Sequence, residues 1–71
     1  MAVADEDRVE LERLTRSTTG SAGLALRARI VLLAAAGTPN QVIAEQVATS
    51  RPTVNKWRLR FAEQGLAGLA D

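Results

Sequence analysis

The chain contains neither cysteine nor histidine. Without cysteine, no disulfide and no thiolate metal site can brace the fold. Without histidine, the commonest general base, the commonest zinc ligand and the side chain that titrates near neutral pH are all missing. An enzyme built here would depend on carboxylates or lysine alone. The longest apolar run, residues 30–37, falls far short of the ~20 residues that span a bilayer. The N-terminus is acidic and does not read as a secretory signal. No Gly-Lys-Thr/Ser sequence marks a phosphate loop, and no period-2 alternation marks a strand. These absences leave a soluble helical protein, with the reducing cytoplasm as its natural compartment.

The 71 residues allow one small domain, which buries only about 60% of its unfolded surface. Net charge is +1, but its distribution is uneven. Residues 1–14 hold five acids and two arginines, giving −3; residues 15–71 hold seven cations and three acids, giving +4. Four of those cations, Arg51, Lys56, Arg58 and Arg60, fall in "TSRPTVNKWRLRF", residues 49–61, which contains no acid. A concentrated basic patch on a near-neutral domain steers a polyanion.

Alanine and leucine dominate and favour helix, so the expected fold is an all-α bundle of three to four helices, a single domain over residues 1–71. The first helix is expected over 5–16. Asp5, Glu6 and Asp7 complement the dipole in its first turn, Arg13 and Arg16 in its last. Leu11 and Leu14 face inward, supported by Val3 or Val9. "TRSTTGSAG", residues 15–23, reads as a connector. The second helix, 22–36, is apolar around most of its circumference and suits the centre of a bundle. Its Arg27 and Arg29 read as solvated or paired with the first helix, and Gly37 fits a left-handed cap. The third helix, 39–48, opens on Thr38-Pro39-Asn40-Gln41: Thr38 as cap, Pro39 in the first helical position, Gln41 reaching back. The fourth, 51–64, starts after Ser50, tolerates Pro52 in its first turn, and stops at Gly65, where Leu66 can pack on Phe61.

The third and fourth helices are separated by about three residues, the spacing of a helix-turn-helix. Ala44 supplies the small residue where the helices cross. Ile43, Val47, Val54, Trp57 and Phe61 fall where the pair must bury side chains. Ala48 stands where such a turn needs φ > 0, a conformation that costs alanine roughly 1 kcal/mol. At 100° per residue, Val54, Trp57 and Phe61 form a core stripe. Pro52, Asn55, Lys56 and Leu59 lie opposite, with Arg51, Arg58, Thr53 and Arg60 on the rims. That distribution suits a helix seated in the major groove of DNA. Asn55 can bond adenine in bidentate fashion, Lys56 or Arg51 can read guanine, and Leu59 can touch a thymine methyl. Ser50, Thr53, Arg58 and Arg60 suit phosphates, as do the backbone amides at the starts of the third and fourth helices.

"LALRARIVLLAAAG" and "VATSRPTVNKWRLRFAEQGLAGLAD" together resemble the N-terminal helix-turn-helix region of bacterial insertion-sequence transposases related to the Tc/mariner group. The resemblance covers nearly the whole chain. It implies a homeodomain-like fold that binds the terminal inverted repeats of its own mobile element. It also implies delivery of those ends to a downstream domain that uses three carboxylates and divalent metal. Arg51, Thr53, Asn55, Lys56, Arg58 and Arg60 are placed by it on the DNA surface, in a bacterial, nucleoid-associated setting. Ala48, Thr49 and Leu59 depart from the family pattern of Gly, an aliphatic residue and a further Arg. The chain ends about where the family continues through a basic linker. The expectation is DNA binding without catalysis, cofactor, metal or small-molecule substrate. A stand-alone transcriptional regulator and a protein-binding helical module are the alternatives.

Overall fold

The computed structural model describes residues 2–16 and 22–69. Among them lie four α-helices and no strand: α1 (Asp5–Arg16), α2 (Ala22–Ala35), α3 (Asn40–Gln46) and α4 (Arg51–Gln64), followed directly by a 3-10 turn over Gly65–Leu69. The all-α architecture matches the expectation from the sequence. The connector expected over 15–23 falls mostly outside the described residues.

α2 is the hub. Its Ala28, Ile30, Val31 and Ala34 are buried, and Leu24, Leu26, Leu32 and Leu33 are partly buried around them. It packs against α1, α3, α4 and the 3-10 turn. That explains its near-continuous apolar surface: a helix with neighbours on several sides has no single solvent face. α1 contributes Leu11, fully buried, with Leu14 and Val3 packed on the core. Val9 is 66% exposed, so Val3 supplies the support for which the two valines were candidates. On the outer face of α1, Arg13 Nε donates to Glu10 Oε1 at 3.0 Å. This contact holds the Glu10 carboxyl below its usual range.

The junction between α2 and α3 differs from the sequence reading. The Gly37 amide donates to Ala34 O and the Thr38 amide to Leu33 O, each at 3.0 Å. With Gly37 at φ 89°, this is the paired 5→2 and 6→1 closure of a Schellman motif. Thr38 is therefore committed to finishing α2. Pro39, extended at φ −63° and ψ 151°, takes the cap position without a side-chain hydrogen bond, and Asn40 becomes the first residue of α3. The expected capping box does not form because the cap lies one residue later than Thr38. α2 also stops at Ala35 rather than 36, and α3 spans 40–46 rather than 39–48.

The 3-10 turn over Gly65–Leu69 has no counterpart in the sequence expectation. Gly65, at φ 65° and ψ −147°, donates its amide to Phe61 O and ends α4 where expected. That backbone region is nearly reserved for glycine. The chain then folds back at once. Leu66 packs on the core and Leu69 is fully buried. Gly68 makes this possible: a Cβ there would stand 2.4 Å from the Arg60 carbonyl oxygen.

Candidate nucleic-acid interface

α3 and α4 meet through Ile43, Ala44, Val47, Val54, Trp57 and Phe61, all buried, with Ile43 and Val54 fully so. These are the six residues expected to hold the unit together. Their spacing sets the rest of α4 by exclusion: three inward positions in fourteen residues leave one long side free.

The turn between the helices repeats the closure that ends α2. The Ala48 amide donates to Glu45 O at 3.4 Å and the Thr49 amide to Ala44 O at 2.9 Å. Ala48 has φ 56°, the one positive value outside glycine among the described residues. α4 then starts cleanly. Ser50, extended at φ −95° and ψ 157°, accepts the Thr53 amide on its Oγ, and Pro52 sits in the first turn, where no amide is needed. The Ser50 and Thr53 hydroxyls lie 2.9 Å apart. One proton joins them, which leaves the other for an outside acceptor.

The free side of α4 carries the candidate contacts. Arg51, Asn55, Lys56 and Leu59 are exposed, as is Ser50; Thr53, Arg58 and Arg60 are half-buried. Arg51, Pro52 and Asn55 line one shallow recess with Asn40 and Gln41 from the start of α3. A second recess further along is lined by Asn55, Arg58, Leu59 and Ala62. No acid occurs on α4 before Glu63, so the first three turns present an unbalanced basic face.

The rim cations are not equivalent. Arg58 Nη1 donates to Asn40 Oδ1, tying the middle of α4 to the start of α3. On the other rim, the Arg60 guanidinium carbon is 5.3 Å from the centre of the Trp57 ring, and the Lys56 ammonium is 4.8 Å from it. Arg60 Nε is buried without a protein partner. Arg27 approaches the same ring most closely, at 4.1 Å, and donates from Nη1 to Leu69 O at 2.9 Å. It is half-buried, not the solvated or α1-paired side chain that its sequence context suggests. Cations within about 6 Å of an indole centre are attracted by its electron-rich face. Trp57, at 7% exposure, is thus a core residue that also gathers cations from α2 and α4.

Sequence reasoning missed Asn40, Gln41 and the second role of Arg27. Capping accounts for Thr-Pro-Asn-Gln in the sequence, and nothing local places Asn40 or Gln41 beside α4. Arg58 is 18 positions from Asn40, and no local periodicity links them.

Homeodomain-like domains match residues 21–70. The chain belongs to that family. Comparison with curated proteins and with solved structures returned no match. The matched span takes in α2, α3, α4 and the whole 3-10 turn and leaves α1 outside it. A homeodomain-like helix-turn-helix is a DNA-binding unit in which the second helix of the pair enters the major groove. Membership of the family suggests DNA as the partner of this chain. Among the described residues, no helix is long and apolar enough to cross a membrane.

Proposed function

We propose that this domain binds double-stranded DNA sequence-specifically, with α4 in the major groove. We also propose that it serves as the N-terminal domain of a transposase, recognising the terminal inverted repeats of a mobile element. The observation that carries the DNA reading is the face of α4. Arg51, Asn55, Lys56 and Leu59 are exposed together, opposite a buried stripe and clear of any acid before Glu63. The transposase reading is supported by the resemblance of residues 24–37 and 47–71 to such N-terminal regions. In this reading the chain delivers DNA ends, and cutting and joining belong to another domain.

Arg51 and Asn55 read base edges near the start of α4, and Lys56 follows on the same face. Ser50, Thr53, Arg58 and Arg60 serve phosphates from the rims. The Arg58–Asn40 bond and the stacking of Arg60 on Trp57 both limit side-chain freedom before DNA arrives. Cations held in place lose less conformational entropy on binding.

The test is an NMR titration of the 15N-labelled domain with a short duplex carrying the element's end, against a random duplex, at two salt concentrations. Amide shifts should concentrate between Ser50 and Arg60 and weaken as salt rises. Arg51→Ala or Asn55→Ala should reduce discrimination between the two duplexes by about 1–3 kcal/mol per lost base contact. Arg60→Ala should weaken both complexes and flatten the salt dependence by about one unit of slope. An absence of shifts with either duplex at low salt would reject DNA binding through α4. Equal affinity for end and random DNA would reject the inverted-repeat assignment.

A further inference from the structure

Leu59 is 56% exposed, in the middle of the most basic face of the molecule. Solvent-facing leucine on a helix is ordinary taken singly. Its neighbours make this one informative. Leu59 shares a shallow recess with Ala62, Asn55 and Arg58. Arg58 has its guanidinium engaged by Asn40 on α3. Beyond Ala62 comes Glu63, exposed and repelled by phosphate. This end of the face therefore offers DNA two apolar side chains, one amide and one arginine already tied to α3.

The major groove displays one apolar group that distinguishes bases, the methyl on C5 of a pyrimidine. The cations at the start of α4 draw the duplex to this side of the helix. Asn55 and Leu59 are four residues apart on one helical side. At 1.5 Å per residue that is about 6 Å along the axis, close to two base-pair steps of 3.4 Å. We infer that Leu59 and Ala62 form a methyl-reading position, which takes the C5-methyl of a pyrimidine within about two base pairs of an adenine held by Asn55. Thymine supplies that methyl in unmodified DNA; 5-methylcytosine presents the same group. The inference rests on the proposed seating of α4 in the groove.

The experiment starts from duplexes that the 71-residue domain selects from a randomised pool. Each thymine of the selected site is then replaced by uracil, which removes only the methyl. One position within two base pairs of a required adenine should lose about four-fold in affinity, the factor that burying one methyl-sized group is worth. With a C·G pair at that position, 5-methylation of the cytosine should restore a similar factor. Leu59→Ala, at an exposed position that leaves the fold intact, should abolish both differences while leaving the salt dependence unchanged. A selected site indifferent to uracil at every position overturns the inference, as does a uracil effect that survives Leu59→Ala. If no duplex binds with salt-sensitive affinity, the seating of α4 itself fails, a result separable from sequence preference without methyl sensitivity.

Discussion

The turn after α2 and the turn after α3 are the same backbone device built from different residues. Each closes with a 5→2 and a 6→1 amide bond, to Ala34 and Leu33 in one and to Glu45 and Ala44 in the other. In each, one residue at positive φ and one threonine lead to an extended cap: Gly37, Thr38, Pro39 against Ala48, Thr49, Ser50. The weaknesses are complementary. The first turn has a relaxed glycine at φ 89° but a proline cap that accepts no amide. The second has an alanine at φ 56° but a serine that caps α4. The comparison teaches that this conformation is imposed by packing: Ile43, Val47 and Val54 cannot all be buried unless the chain reverses here in three residues. The second turn keeps its shape at a local cost because the core beneath it stabilises the pair by more.

The comparison can be broken most strongly at Gly37. A Cβ there would meet nothing within 4 Å, so any loss is due to the backbone alone. Gly37→Ala should destabilise by about 1–2 kcal/mol, the cost of a left-handed conformation for an L-residue. Thermal unfolding should register this as a drop of about 4–8 °C per kcal/mol in a domain of this size. An unchanged melting temperature would mean that the α2–α3 turn relaxes out of positive φ. Next comes Ser50→Ala, which removes the acceptor of the Thr53 amide at 3.3 Å. The loss should be about 1 kcal/mol, read by urea unfolding with an unchanged m-value. Ser50→Asp should recover it, since a carboxylate can accept the same amide; failure of that rescue would show that the cap bond contributes little.

Much of this was legible in advance, for stated reasons. α1 and α4 begin and end as expected because their signals are local: acids in a first turn, a serine before Arg51, a glycine after Gln64. The burial of Val54, Trp57 and Phe61 follows from helical periodicity, and the positive φ of Ala48 from the spacing of a helix-turn-helix. The misses are long-range or positional. Thr38 and Pro39 both suit the start of a helix, and only the amide bond from Thr38 to Leu33 decides between them. The tie from Arg58 to Asn40, the seat of Arg27 over Trp57 and the burial of Leu69 join residues far apart in sequence. On the candidate face, chemistry could be assigned from residue type alone, but which rim arginine is already engaged could not.

The smaller effects sharpen the same comparison. Ala48→Gly relieves the left-handed strain but loosens the unfolded chain, so the net gain should be about 0.5–1 kcal/mol. It should leave duplex affinity unchanged, because α4 is placed by buried contacts rather than by the turn residue. A gain in stability accompanied by weaker binding would instead mean that the strained alanine holds α4 at its working angle. Smallest of all is Pro39→Ser, which would give α3 the kind of cap that α4 has. The new side-chain bond to an amide in the first turn is offset by the freedom that proline had removed from the unfolded chain. The expected change is within a few tenths of a kcal/mol. A gain near 1 kcal/mol would show that α3, only seven residues long, is limited by its N-terminus rather than by the core it covers.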